Sequence, residues 1–160
     1  MIEGITQSFI LNILKFLKGI IPYFFPPQIE VVKPGSYFGR LNSENGPFAL
    51  FLKLRLRNES ERATLIRSIH VQHAGKCSEP IQGHPARLFT EHRWVVDFPR
   101  REENIFVTPH IPSMDVVERF AVFILPEPIE TWPKRLEFTA KAKFVRRRTR
   151  EISFTLTDRG

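Results

Sequence analysis

Residues 48–57 read FALFLKLRLR, and this stretch indicates the fold class more clearly than any other. Its even positions are all apolar, whereas the basic residues Lys53, Arg55 and Arg57 occupy odd positions. Because successive side chains of a strand point to opposite faces, this alternation predicts a β-strand with one buried face and one solvated face.

The same alternation near the C-terminus predicts a β-hairpin. Residues 135–144 read RLEFTAKAKF, with apolar even positions, and the pattern resumes from Ile152 to Leu156. We expect these two strands to pair through a connection at residues 146–149. That connection contains no Gly, Asn or Pro, so the sequence does not indicate its turn type.

Weaker strand patterns extend an all-β domain over residues 28–160. They lie at residues 29–32, 65–73 with a bulge at Arg67, 93–98, 105–107 and 116–125, with turn-rich segments between them. No helical pattern interrupts them. Roughly eight strands of this kind predict one antiparallel β-sandwich, immunoglobulin-like or related in topology.

The first 27 residues form a separate apolar segment and linker. Residues 9–25 read FILNILKFLKGIIPYFF and are followed by Pro26 and Pro27. A secretory signal is not expected, because the first charge is Glu3 and bulky residues fill the end of the run. A membrane-spanning helix is not favoured either, because two central lysines offset the apolar residues.

An amphipathic helix fits this segment better. Ser8, Asn12, Lys15 and Gly19 recur every three or four residues and form one polar stripe on a helix that the three nearby prolines end. We expect the remaining surface to contact a membrane interface or a partner through Phe9, Ile13, Phe16, Leu17, Ile20 and Phe24. Docking on the chain's own sandwich or on another subunit stays an equal alternative.

One strand favours such internal docking. Residues 116–125 are apolar on both faces after Arg119, so both faces must be covered. The strand is either central and covered on both sides by the sandwich, or covered by the N-terminal helix. We expect the helix to cover it.

The basic residues concentrate in the C-terminal hairpin. The formal net charge is +7, and residues 134–150 hold eight basic residues and one acidic residue, whereas the rest of the chain is neutral. Lysines commonly protect strand edges, but three successive arginines at a hairpin tip favour contact with an anionic partner. We expect the three arginines at the tip, residues 146–148, to be exposed. The candidate contact residues are Lys141, Lys143, Arg146, Arg147, Arg148 and Arg150.

The residue types of catalytic and metal sites lack suitable spacing. His70 and His73 should point to opposite faces of a strand, and His84, His92 and His110 are scattered. Cys77 and His84 share a loop, which is a weak basis for a hydrolase. The paired loop carboxylates are expected to be solvated, and the glycosylation-like Asn58-Glu-Ser60 is expected to be a turn. We predict no catalytic residue, metal or cofactor.

These observations predict a non-enzymatic accessory, scaffold or interaction protein. The helix would hold the sandwich to a membrane surface or a larger assembly, and the hairpin would contact an anionic lipid or an acidic protein. A nucleic-acid-associated protein that uses the same arginines is the main alternative. The single cysteine, Cys77, excludes an internal disulfide, so a cytoplasmic location is expected, with peripheral attachment to a membrane.

Overall fold

The computed structural model describes residues 2–24, 26–78, 80–81, 87–90, 95–97, 99–126 and 131–157. Within these residues the chain forms one N-terminal helix and eleven strands in two antiparallel sheets. The helix is α1 (Ile2–Phe24), and the strands are β1 (Gln28–Val31), β2 (Tyr37–Leu41), β3 (Phe48–Asn58), β4 (Thr64–His73), β5 (Lys76–Ser78), β6 (Arg87–Phe89), β7 (Val95–Asp97), β8 (His110–Ile111), β9 (Asp115–Ile124), β10 (Arg135–Phe144) and β11 (Arg150–Thr157).

The first sheet is organised around β3, the strand that carries the FALFLKLRLR pattern. One edge of β3 pairs with β9 along its whole length, from Ala49 opposite Ile124 to Asn58 opposite Asp115. The other edge pairs first with β2 and then with β1. β6 and β7 extend the sheet beyond β2. A strand with neighbours on both edges must satisfy its buried backbone groups within the sheet, and β3 does so.

The second sheet confirms the predicted hairpin and the predicted bulge. β10 pairs with β11 from Arg135 opposite Thr157 to Ala142 opposite Arg150. Its other edge pairs with β4, where the register changes after Lys143 and leaves Arg67 as an extra residue. β5 and β8 also pair with β4. β10, its connection and β11 therefore form one continuous hairpin, although the residue types of the connection do not favour a turn.

The two sheets bury a common apolar core between them. Leu52, Leu54 and Leu56 of β3 are buried, as are the even residues of β10, among them Phe138. The ring of Phe138 stacks on that of Phe154 with 5.5 Å between the centroids. The fold is thus sandwich-like, as the alternating patterns predicted.

The expected single buried face of β3 holds only for its second half. Ala49 and Phe51 occupy odd positions but are buried, in a second cluster on the outer face of the first sheet. Phe120 and Val122 of β9 belong to the same cluster. The expectation that α1 covers β9 is therefore wrong, since residues 120–123 of that strand are buried on both faces among side chains of the sandwich itself.

Two other sequence expectations also need correction. Residues 105–107 form a turn and no strand; their apolar character reflects Ile105, which is fully buried and donates its N–H to the carbonyl of Phe120 at 2.9 Å. The helix continues past Pro22 to Phe24, so Pro22 does not end it. Of the predicted strand at 93–98, residues 95–97 form β7, and the remainder lies outside the described residues.

Candidate functional site

The described side chains of α1 are largely uncovered by the rest of the chain. Residues 8–19 are all exposed, including Phe9 at 65% and Phe16 at 67%, and Ile13 and Leu17 are more than 40% exposed. Ile20 is half-buried, and the side chain of Phe24 lies outside the described part. Along residues 8–19 the predicted apolar face is therefore not buried against the sandwich.

The apolar character of α1 does not reach that of a membrane-spanning helix. Within the described residues, no helix is sufficiently long and apolar to cross a membrane. Lys15 and Lys18 lie in its C-terminal half, both exposed.

The linker after α1 leads to one particular end of the sandwich, which we call the α1 end and define as residues 26–28, 58–65, 112–116 and 145–150. Three loops meet there. The N–H of Met114 donates to the carbonyl of Ser60, and the N–H of Val145 donates to the carbonyl of Leu65. The guanidinium of Arg150 donates to the carbonyls of Pro26 and Pro27, so the hairpin holds the linker that follows the helix.

Asn58 fixes the β3–β4 connection at this end. Its side chain is 1% exposed, and its Nδ2 donates to the carbonyls of Arg62 at 2.9 Å and Pro112 at 2.8 Å. Its Oδ1 accepts the N–H of Ser60. The expected turn at Asn58 is present, and its amide is used entirely inside the protein.

The hairpin tip closes without glycine by placing Arg146 in the left-handed region, at φ 56°. A residue with a Cβ pays about 1 kcal/mol or more for this conformation. The tip is then held by the next residue, because Nη2 of Arg147 donates to Oγ of Ser60 at 3.0 Å and to the carbonyl of Arg62 at 3.2 Å. Long-range contacts thus stabilise a turn that its own residue types do not favour.

The six candidate basic residues do not form one uniform surface. Lys141 pairs with Glu151 at 3.2 Å, and Arg147 and Arg150 donate to atoms of the protein. Lys143, Arg146 and Arg148 are exposed. The expectation that all three tip arginines are exposed is wrong for Arg147, which is half-buried because it bridges to the β3–β4 loop.

The electrostatic environment of Arg147 reflects this position. Burial lowers the pKa of its guanidinium, and the nearby positive charge of Arg62 lowers it further. The two like charges lie close together because the hairpin tip and the β3–β4 loop are held against each other by hydrogen bonds. Positive charge is therefore concentrated between these two segments.

Two cavities adjoin this charge. The smaller, about 360 Å³, is lined by Gly19, Arg62, Ala63, Thr64, Leu65, Val145, Arg146 and Arg147. The larger, about 480 Å³, is lined by Lys18, Ile21, Pro26, Gln28, Arg57, Glu59, Ser60, Glu61, Arg62 and Arg150. Arg62 belongs to both, and α1 contributes Gly19 to the smaller cavity and Lys18 and Ile21 to the larger one.

Thr64 has an unusual position in the smaller cavity. The residue is 6% exposed, and its Oγ1 has no hydrogen-bond partner within the described part of the chain. A buried hydroxyl without a partner loses its hydration without compensation, so such groups are rare in folded proteins.

The histidines and the cysteine that the structure describes do not form a metal site. His73 makes a 2.9 Å hydrogen bond through Nδ1 to the carbonyl of Glu137, and Cys77 is exposed. In the described ranges no group of three or more potential ligands could hold a metal. His84 and His92 lie outside the described residues, so the pairing of Cys77 with His84 stays untested.

Sequence patterns alone do not indicate Arg62, Thr64 or the structural use of Asn58. Arg62 lies 85 positions from Arg147, and only the packing of the β3–β4 connection against the β10–β11 hairpin brings them together. The one local signal was the motif at Asn58, which indicates a turn but not its contacts. No protein-family model matches the chain, and no curated protein is significantly similar to it, so the geometry of the α1 end is the basis for a functional interpretation.

Proposed function

We propose that this protein is a non-enzymatic interaction protein that α1 attaches to an anionic membrane surface, with the basic hairpin as a second contact. The observation that carries the proposal is the exposure of the apolar face of α1 over residues 8–19. An apolar face that extends over residues 8–19 and lies uncovered on a folded protein marks a site of interaction with a membrane or a partner.

The arrangement of the helix suits the membrane interface. At 3.6 residues per turn, Phe9, Ile13, Phe16, Leu17 and Ile20 fall within an arc of about 100°. Lys15 lies on the opposite side, among the polar residues. A helix of this kind lies in the interface plane, with its apolar face buried about 5–10 Å deep and its lysines toward the phosphates.

The α1 end adds a second set of contacts on the same side of the molecule. Leu65, Met114, Val116 and Val145 are exposed apolar residues of this end, and Met114 is 69% exposed. Arg146 and Arg148 are exposed among them. Apolar and basic side chains that alternate on one surface match an anionic interface, where each basic residue contributes about 1 kcal/mol.

Stable peripheral attachment generally needs two signals, and this arrangement offers both. The apolar helix gives a contribution that salt affects little, and the basic tip gives one that salt screens. The finer expectations belong to the same proposal: an immunoglobulin-like topology for the sandwich and a cytoplasmic location.

Vesicle co-sedimentation tests the proposal with variants of matched chemistry. The variant Ile13→Gln with Leu17→Gln removes two apolar contacts without adding charge, and Ser8→Gln with Asn12→Gln is its control on the polar stripe. A loss of about 1–1.5 kcal/mol per apolar side chain lowers partitioning by about 30- to 150-fold. The control should bind anionic vesicles as the wild type does.

The other functional classes are outcomes of the same experiment. A wild type that fails to bind vesicles but co-purifies with a partner complex through Ile13 and Leu17 would assign α1 to a protein assembly and refute the membrane proposal. Binding from lysate that nuclease abolishes would instead favour the nucleic-acid alternative.

A further inference from the structure

We propose that the smaller cavity of the α1 end binds the phosphomonoester headgroup of an anionic lipid, through Arg62, Arg146 and the hydroxyl of Thr64. This inference rests on the proposed membrane attachment and names the lipid chemistry that the attached protein would select.

The charge around the two cavities decides which of them suits an anion. Glu59 and Glu61 line the larger cavity and offset its basic residues. Every charged residue that lines the smaller cavity is an arginine: Arg62, Arg146 and Arg147. At about 360 Å³ its volume is within the usual range of small-ligand sites, about 300–1,000 Å³.

Thr64 is an independent indication of a ligand. Its buried Oγ1 has no partner among the described residues, although the residue lines the cavity that the arginines surround. Oγ1 itself is buried in the structure, so the side chain must rotate to bring the hydroxyl into the cavity, where a phosphate oxygen, a strong acceptor, would accept a charge-assisted hydrogen bond from it. Replacing such a hydroxyl by a methyl group should not weaken folding, because no hydrogen bond is lost.

The proximity of Arg62 to Arg147 supports the same reading. Their like charges repel, and this repulsion contributes to the lowered pKa of Arg147. An anion near both guanidinium groups would offset that repulsion. A phosphomonoester carries about −1.5 to −2 charges and three acceptor oxygens, so it can accept hydrogen bonds from several donors at once. A phosphodiester carries only one negative charge and would offset the repulsion less.

The position of the cavity favours a lipid over a free phosphate. Gly19 of α1 lines it, and Lys18 and Ile21 line the neighbouring cavity, which shares Arg62. If α1 lies in the membrane interface, residues 18–21 of the helix are at the depth of the lipid phosphates. The exposed Leu65 and Val145 at the cavity face the same region and suit the apolar part of the interface.

The test uses the full-length protein and phosphatidylcholine vesicles that contain either phosphatidic acid or phosphatidylserine. The variants are Thr64→Val and Arg62→Gln, and the control is Arg87→Gln. Arg87 is an exposed arginine of β6 beside the loop where β3 begins, at the opposite end of the sandwich. Thermal unfolding should show that Thr64→Val is as stable as the wild type.

We expect wild type to prefer phosphatidic acid. Thr64→Val should weaken binding to these vesicles about three- to tenfold, and Arg62→Gln about tenfold or more, with smaller effects on phosphatidylserine vesicles. Arg87→Gln should bind as wild type does. If both cavity variants bind phosphatidic acid vesicles like wild type, the headgroup inference is wrong, although helix-driven attachment stands.

A titration without vesicles distinguishes a lipid headgroup from a free phosphate as the ligand. Inorganic phosphate, titrated against the protein without vesicles, should bind weakly. If it binds tightly through Thr64 and Arg62 while vesicle binding ignores both residues, the site serves a soluble phosphate and the lipid assignment is refuted. If wild type binds no vesicle at all, the proposed function itself fails.

Discussion

Replacing Asn58 by alanine should destabilise the protein far more than its surface-like sequence context suggests. The substitution removes two hydrogen bonds from Nδ2, to the carbonyls of Arg62 and Pro112, and one from the N–H of Ser60 to Oδ1. At about 1 kcal/mol net for each bond, the free energy of unfolding should fall by about 3 kcal/mol. The side chain is 1% exposed, so water cannot easily replace these partners.

Urea titration, with thermal unfolding in parallel, measures this effect. For a chain of this size about 3 kcal/mol corresponds to a decrease in Tm of about 6–12 °C, and the denaturant m-value should stay the same. The matched control is Asn45→Ala, since Asn45 is exposed in the loop before β3. Asn58→Asp keeps the shape but turns a donor into an acceptor that faces two carbonyls, so it should be at least as damaging as Asn58→Ala.

An Asn58→Ala variant as stable as Asn45→Ala would contradict this prediction. In that case the amide contacts would not hold the β3–β4 loop, and the position of Arg62 beside Arg147 would need another cause. The same contacts predict that Asn58 is not glycosylated, because its Nδ2 is buried and already donates to the protein. Mass spectrometry of the chain, secreted from a glycosylating host behind an added signal peptide, checks this.

Two further predictions concern the fold. A chain that begins at Gln28 should unfold cooperatively with a Tm close to that of the full-length protein, because residues 8–19 of α1 are exposed; differential scanning calorimetry that shows no cooperative transition would make α1 part of the core. Phe138→Ala should lower the free energy of unfolding by about 3–5 kcal/mol, whereas Thr139→Ala on the opposite face should change it by less than about 1 kcal/mol, as measured by denaturant titration. Phe138 is 2% exposed and stacks on Phe154, so equal effects of the two substitutions would contradict the strand parity.

Local patterns predicted much of the strand content, because alternation is a property of neighbouring residues. The parity of β10 and β11, the bulge at Arg67 and the amphipathic helix before the sandwich could all be anticipated in this way. The short strands β2, β5, β6 and β8 were missed, since two to five residues give too little periodicity.

The candidate site was only partly predictable. The arginine cluster marked the hairpin tip, but charge counted along the chain does not show which side chains are used internally. Arg147 and Arg150 donate to backbone carbonyls, and Lys141 pairs with Glu151. Arg62 and Thr64 carry no motif of their own, so nothing in their sequence neighbourhood indicates a shared cavity.

The sequence by itself determined which residues alternate, where the chain is apolar and where its positive charge lies, because these depend on residue order alone. Only the tertiary structure decided that β9 is covered by the sandwich while α1 is left exposed, and that Arg62, Thr64 and Arg147 line one cavity. The reason is that sheet pairing joins residues far apart in the chain: Thr64 lies on β4, Arg147 on the β10–β11 connection, and the pairing of β4 with β10 places the two together.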